Sequence, residues 1–140
     1  MAKKQEHRIE PQEYSRVLGT LELGEISIDK GSFNITREHF DGSLTLDIKD
    51  NCDFIETDDG IEVTVSYTLL GKSNAKKTAI RIKADFLLTY ATPETITEDF
   101  FEVFQNVSLP FIIWPFFREY VYSITSRMYI PPLTLPQIRQ

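Results

Sequence analysis

The chain has 140 residues, 41% of them hydrophobic, enough to bury one core and no more, so a single domain is expected. A formal charge of −6 argues against a general nucleic-acid binder, which needs clustered Lys and Arg. Cys52 is the only cysteine, which excludes an internal disulfide and a CxxC metal site and fits a reducing, cytoplasmic setting.

Residues 1–16 are polar and lack a hydrophobic period, so a flexible or extended arm is expected there, followed by one domain over 17–140. Met1-Ala2-Lys3-Lys4 starts positive with no apolar stretch behind it, so no secretory leader is expected. Leu21 and Leu23 alternate with Thr20 and Glu22. At Gly24 the apolar phase slips by one residue to Ile26 and Ile28, which predicts a bulge. Leu44, Leu46 and Ile48, then Ile61 to Leu69, then Ile80, Ile82, Ala84 and Phe86 alternate with polar neighbours and read as half-buried strands. Asp59-Gly60 predicts a tight turn and Gly71-Lys72-Ser73-Asn74 a looser hairpin loop. Four strands with one wet face imply an antiparallel sheet.

After Tyr90 the period changes. Thr95 or Thr97 caps a short helix with Glu98 and Asp99 in its first turn, and Phe100, Phe101 and Phe104 form its apolar face. Pro110 is expected to end that region and Pro115 to open a second, long helix, where its missing amide proton costs nothing. Phe117, Val121, Ile124 and Met128 predict the stripe laid on the sheet, while Phe116, Tyr120 and Tyr122 widen the apolar surface toward a subunit contact. The run Val107 to Phe117, broken by two prolines, falls short of the roughly 20 residues of a membrane span, so no membrane insertion is expected. The fold class is therefore α+β: a four-stranded antiparallel sheet followed by a short helix and a long C-terminal helix.

Catalytic and metal chemistry find little support. The acids from Asp47 to Asp59 do not match a calcium loop, and His7 and His39 lack a second histidine at ligand spacing. Asp50 and Asp53 flank Cys52 and disfavour a thiolate. No GxSxG, Walker A or GxGxxG pattern occurs. No enzyme activity, metal or cofactor is expected. Arg118-Glu119 lies in an aromatic-rich helix and reads as an architectural pair that caps a loop or a neighbouring helix.

The run Leu109-Pro110-Phe111-Ile112-Ile113-Trp114-Pro115-Phe116-Phe117-Arg118-Glu119, then Ser126-Arg127 and Pro131-Pro132-Leu133-Thr134-Leu135, resembles the hallmark segment of the SecB family of holdase chaperones. Glu25-Ile26-Ser27-Ile28-Asp29 is similar to that family's first strand, with acids on the solvent face. The resemblance implies a homotetramer, a dimer of dimers with helices sandwiched between sheets, and apolar grooves that hold unfolded or nascent polypeptide without ATP. It implies client-binding or oligomer-interface roles for Phe111, Trp114, Phe116, Tyr120 and Tyr122, and a candidate motor-docking face at Glu25, Asp29, Arg81 and Lys83. Export-dedicated members continue into a second helix and a tail that engages the SecA motor. This sequence ends at Gln137-Ile138-Arg139-Gln140, carries Arg81 and Lys83 where the family's docking face is acidic and apolar, and has Met128 where glycine usually follows Ser-Arg. The resemblance thus supports folding and holding better than SecA-coupled export. A dedicated partner-binding adaptor, such as an antitoxin-specific chaperone of a toxin-antitoxin system, is the second expectation.

Overall fold

A computed structural model describes residues 9–137, in the order α1 (Pro11–Leu18), β1 (Glu22–Ile35), β2 (Thr45–Glu56), β3 (Gly60–Lys72), β4 (Thr78–Ala91), α2 (Glu98–Val103) and α3 (Leu109–Arg127). A 3-10 turn at Arg37–His39 lies between β1 and β2, and a π-helical turn, Phe104–Ser108, joins α2 to α3. The strands form one antiparallel sheet in the order β1-β4-β3-β2, so the chain crosses from one edge strand to the other between β1 and β2. This is the expected α+β arrangement.

Register turns the sequence alternation into rows of side chains across the sheet. Ile26, Leu88, Val63 and Phe54 make one inward row, and Phe33, Ile82, Leu69 and Ile48 make another. On the central strands these positions are buried, and each large apolar side chain so buried contributes about 1.5–3 kcal/mol. The register slips between Leu23 and Glu25, as the phase change at Gly24 predicts, and slips again between Ile28 and Lys30. On the edge strands the inward positions are less covered: Leu23, Ile28 and Phe33 stay exposed, Phe33 by 56%. Gly60 opens β3 because a Cβ there would lie 2.0 Å from the Tyr90 carbonyl oxygen, a close approach rather than a turn conformation.

Several expectations are corrected. From Pro11 onward the expected arm is a helix: Pro11 sits in its first turn, Val17 is buried, and Tyr14 stacks on Phe100 at 4.9 Å and shares a 2.7 Å hydrogen bond with Ser108. Tyr14, Val17 and Leu18, at i, i+3 and i+4, supply its apolar stripe. Residues 1–8 of the expected arm, and His7 with them, lie outside the described residues. Gly71 and Lys72 belong to β3, and the hairpin turn is carried by 73–77, with Lys76 at φ 65°.

Neither proline acts as expected in the helical region. Thr97, not Thr95, caps α2 by accepting the Phe100 amide at 3.1 Å. The chain then stays helical through Pro110, which occupies the first turn of α3, where a missing N–H is tolerated. Pro115 lies inside α3 and leaves the Phe111 carbonyl without its intrahelical donor. Glu98–Arg127 is thus one helical stretch of 30 residues, within which an 18-residue window has a mean hydropathy of 1.3, long and apolar enough for a membrane span by length and composition only. Here its Leu109-Ile113-Phe117-Val121-Thr125 stripe is buried at a spacing of four. Thr125 takes the core position expected for Ile124, because its hydroxyl is bonded: it donates to the Val121 carbonyl at 2.8 Å and accepts the Leu133 amide at 2.9 Å.

Candidate functional site

The crossover from β1 to β2 is tied to the end of the sheet by four hydrogen bonds. The Thr36 amide donates to the Ala79 carbonyl at 2.8 Å, and His39 Nδ1 bonds the Thr78 carbonyl at 2.9 Å. Asp41 accepts the Asn74 amide at 2.9 Å, and the Ser43 hydroxyl donates to Asn74 Oδ1 at 3.3 Å. With its polar groups anchored, the loop turns Phe40 and Leu44 toward the core, and Gly42 supplies the φ of 100° the turn needs.

Beyond α3 the chain returns along the helix as an irregular segment held by three side-chain contacts on one helix face. Thr125 Oγ1 accepts the Leu133 amide, Arg118 Nε donates to the Leu135 carbonyl at 2.8 Å, and Trp114 Nε1 donates to the Pro136 carbonyl at 2.7 Å. Leu135 is 1% exposed and anchors the segment in the core. Arg118 therefore has an architectural role, as expected, but acts alone: its partner is a backbone carbonyl, and Glu119 stands exposed.

Between the crossover and this returning segment lies an open groove of about 540 Å³, lined by Phe40, Gly42, Ser43, Leu44, Leu46, Ile130, Pro131 and Leu133. No charged residue lines it. Its size falls within the range of ordinary ligand pockets. The sequence reading placed no site here. Leu44 and Leu46 read as ordinary strand positions, and Phe40 drew no reading. The usable signals are Phe40, an aromatic between the first two strands, and the Pro131-Pro132-Leu133 exit, which topology alone brings together.

The aromatic candidates separate into two sets. Trp114 and Tyr120 lean toward the sheet: Trp114 meets Tyr67 edge-on at 5.7 Å, and Tyr120 meets Phe86 edge-on at 6.5 Å. Gly31 makes room for the Tyr120 hydroxyl, which a Cβ there would approach to 2.5 Å. Phe111, Phe116 and Tyr122 point away from the sheet, each 44–49% exposed, and Val107 joins them. None of the five lines the groove.

The four candidate docking residues are not brought together as ion pairs. Glu25 stands opposite Thr89, Lys83 between Ser32 and Thr68, and Arg81 between Asn34 and Leu70. Asp29 falls in the second register slip, so Lys30 takes the next outward place, opposite Asp85. Among the described residues the ion pairs belong to Arg16, which holds Glu13 at 2.7 Å and Glu94 at 2.8 Å and keeps both carboxyls below their ordinary range.

Cys52 sits half-buried on the inward face of β2. Burial, with smaller contributions from Asp50 and Asp53, pushes its thiol up to about 12, so it stays protonated near neutrality. Among the described residues no group of three His, Cys, Asp or Glu side chains is placed to hold a metal ion.

No protein-family model matches the chain, and no curated protein matches it. A SecB-like chaperone of Mycobacterium tuberculosis, solved in complex with a ChAD peptide from the HigA1 antitoxin, superposes with a TM-score of 0.76 at 20% identity, over 90% of this chain and 96% of that one. A Streptococcus agalactiae protein of unknown function gives a TM-score of 0.46 at 9% identity, over 83% and 96% of the two chains, a level of likeness that carries no weight. The fold is SecB-like.

Proposed function

We propose that the protein is an ATP-independent holdase chaperone, without a catalytic step, that takes extended apolar segments of unfolded or nascent polypeptides into the groove between Phe40 and Leu133. The observation that carries this reading is an open, uncharged groove bounded by a loop and a returning segment, both fixed by hydrogen bonds between side chains and backbone. Such a site binds by apolar contact and reads little sequence, as a chaperone requires. Exposed apolar side chains on β1 and on the outer face of α3 fit burial in a homo-oligomer, a dimer of dimers in the cytoplasm. Coupling to the SecA motor is not part of the proposal.

A second reading, a dedicated adaptor for one partner such as an antitoxin, is favoured by the antitoxin peptide bound to the similar M. tuberculosis chaperone. Light scattering of two unrelated denatured clients, with the protein at stoichiometric amounts, tests the first reading. Suppression of both aggregations is expected. Suppression of neither would refute it, and tight binding of one partner without suppression would favour the adaptor.

A further inference from the structure

The sheet has two edges, and they differ. β1, one edge strand, carries two register slips, which break the even spacing of its hydrogen-bonding groups. β2, the other, pairs with β3 from Thr45 to Glu56 with no slip and no proline. Among the described residues no other backbone segment pairs with it. It is a long, regular edge, the form that accepts a further strand.

The β2–β3 turn fixes which groups lie on the free edge. The Thr57 amide donates to the Gly60 carbonyl at 2.8 Å, so Thr57 turns its backbone toward β3. Hydrogen-bonded and non-bonded pairs alternate along an antiparallel ladder, and the register runs unbroken back to Thr45. Leu46, Ile48, Asp50 and Cys52 therefore turn both their N–H and their C=O groups to the free side. Their side chains stand on the inward face, Ile48 beside Leu69 and Cys52 beside Val65.

Two cavities accompany this edge. The groove takes Leu46 as its one strand residue. A second cavity, of about 440 Å³, is lined by Asp50 and Cys52 of β2, Tyr67 of β3, and Gln105, Asn106 and Ile113 of the helical stretch. Neither takes a residue from β1 or β4, so both lie on the β2 side of the sheet. The inward acid of the strand, Asp50, opens onto the polar cavity and not onto the groove. From Leu46 to Cys52 the strand rises about 20 Å. A strand laid along this edge sets alternate side chains on the inward face, the first beside the groove and the one six residues on beside the polar cavity. Past Cys52 the inward face is closed, because Phe54 packs against Phe101 at 4.3 Å.

We infer that a client segment binds by strand addition: it extends the sheet at β2, pairing main chain to main chain from Leu46 to Cys52, with its inward side chains entering the groove at one end and meeting the polar cavity at the other. This rests on the holdase reading and states how the client is held. Main-chain pairing does not depend on side-chain identity, so it adds affinity without narrowing the range of sequences bound. A second copy of β2 fits the edge less well. The strand carries Asp47, Asp50, Asp53 and Glu56 against Lys49 alone, and pairing two copies about Asp50 sets that acid against itself and Asp47 against Asp53.

The test is fluorescence anisotropy of the full chain with a labelled peptide of alternating apolar and polar residues, long enough to run from Leu46 to Cys52. It is used in three forms: unmodified, N-methylated at its odd backbone amides, and N-methylated at its even ones. A methyl on an amide that donates to β2 removes a hydrogen bond and clashes with the strand, whereas a methyl on the far edge meets solvent. One methylated form is expected to bind at least about tenfold weaker than the unmodified peptide, the other within about twofold of it. The amides of Leu46, Ile48, Asp50 and Cys52, followed by NMR hydrogen exchange, should slow when the unmodified peptide is added. Equal retention or equal loss in the two methylated forms, beside firm binding of the unmodified peptide, overturns strand addition and leaves the holdase reading standing. Binding of none of the three overturns both. Slow exchange of the four amides without peptide, together with concentration-dependent association in sedimentation, gives the edge to a second copy and overturns the inference.

Discussion

The two ends of the sheet are built on the same alternation and come out differently. At the end of the sheet that carries Glu22 and Glu62, α1, α2 and the π-helical turn close over the inward face: Phe101 packs on Phe54 at 4.3 Å, Phe104 on Tyr90 at 5.7 Å, and Tyr14 on Phe100. At the opposite end, where Thr45 pairs with Lys72, α3 finishes, and the inward face is bordered by a loop and an irregular returning segment with a groove between them. The difference lies in what covers the strands. Aromatic residues on helices seal one end, and hydrogen-bonded irregular chain leaves the other open.

Substitutions at the two ends should therefore separate stability from binding. Phe104→Ala, at the sealed end, removes one of the largest fully buried side chains and is expected to cost about 3–5 kcal/mol in denaturant unfolding. A cost below about 1 kcal/mol would mean that this end is not closed as described. Arg118→Met keeps the aliphatic body of the side chain but removes the donor to the Leu135 carbonyl. A loss of about 1–3 kcal/mol is expected, with faster hydrogen exchange confined to the segment after α3, and Arg118→Lys should recover part of both. Leu46→Asp, on the partly exposed wall of the groove, should weaken client binding about tenfold by anisotropy while unfolding shifts by about 1 kcal/mol or less.

Much of the sealed end is legible in the sequence, because it is made from periodic elements. Strand alternation, the slip at Gly24 and the Phe100-Phe101-Phe104 cluster each carry their structure locally. The α1 helix is less so, since only Tyr14, Val17 and Leu18 mark its apolar side within eight residues. Pro110 and Pro115 predict breaks, yet packing on the sheet holds the helix through both. The phase of α3 is misread at Ile124 because a threonine with both of its hydrogen-bonding roles filled can be buried, which composition does not reveal. The groove is the least legible part. Phe40 and Leu133 are far apart in sequence, each lies in irregular chain, and their meeting depends on the β1-β4-β3-β2 order.

The smallest expected effect concerns Cys52, midway along β2. Its thiol is raised to about 12 in the folded chain, above the ordinary value near 8.5, so folding favours the neutral form. The stabilisation it lends is fully present below about pH 8.5 and is lost as pH rises through about 12. Cys52→Ala should flatten the alkaline fall in stability slightly, and the native thiol should react slowly with a maleimide at pH 7. Rapid labelling of the folded chain would contradict the burial of this position.

The comparison of the two ends is tested most directly by placing a photo-crosslinking residue at Leu46, in the groove wall, and separately at Ile55, which is 61% exposed on the outward face at the sealed end. With an unfolded client, crosslinks are predicted from position 46 and few from position 55, although position 55 is the more exposed. Equal crosslinking from both, or none from position 46, would contradict the account.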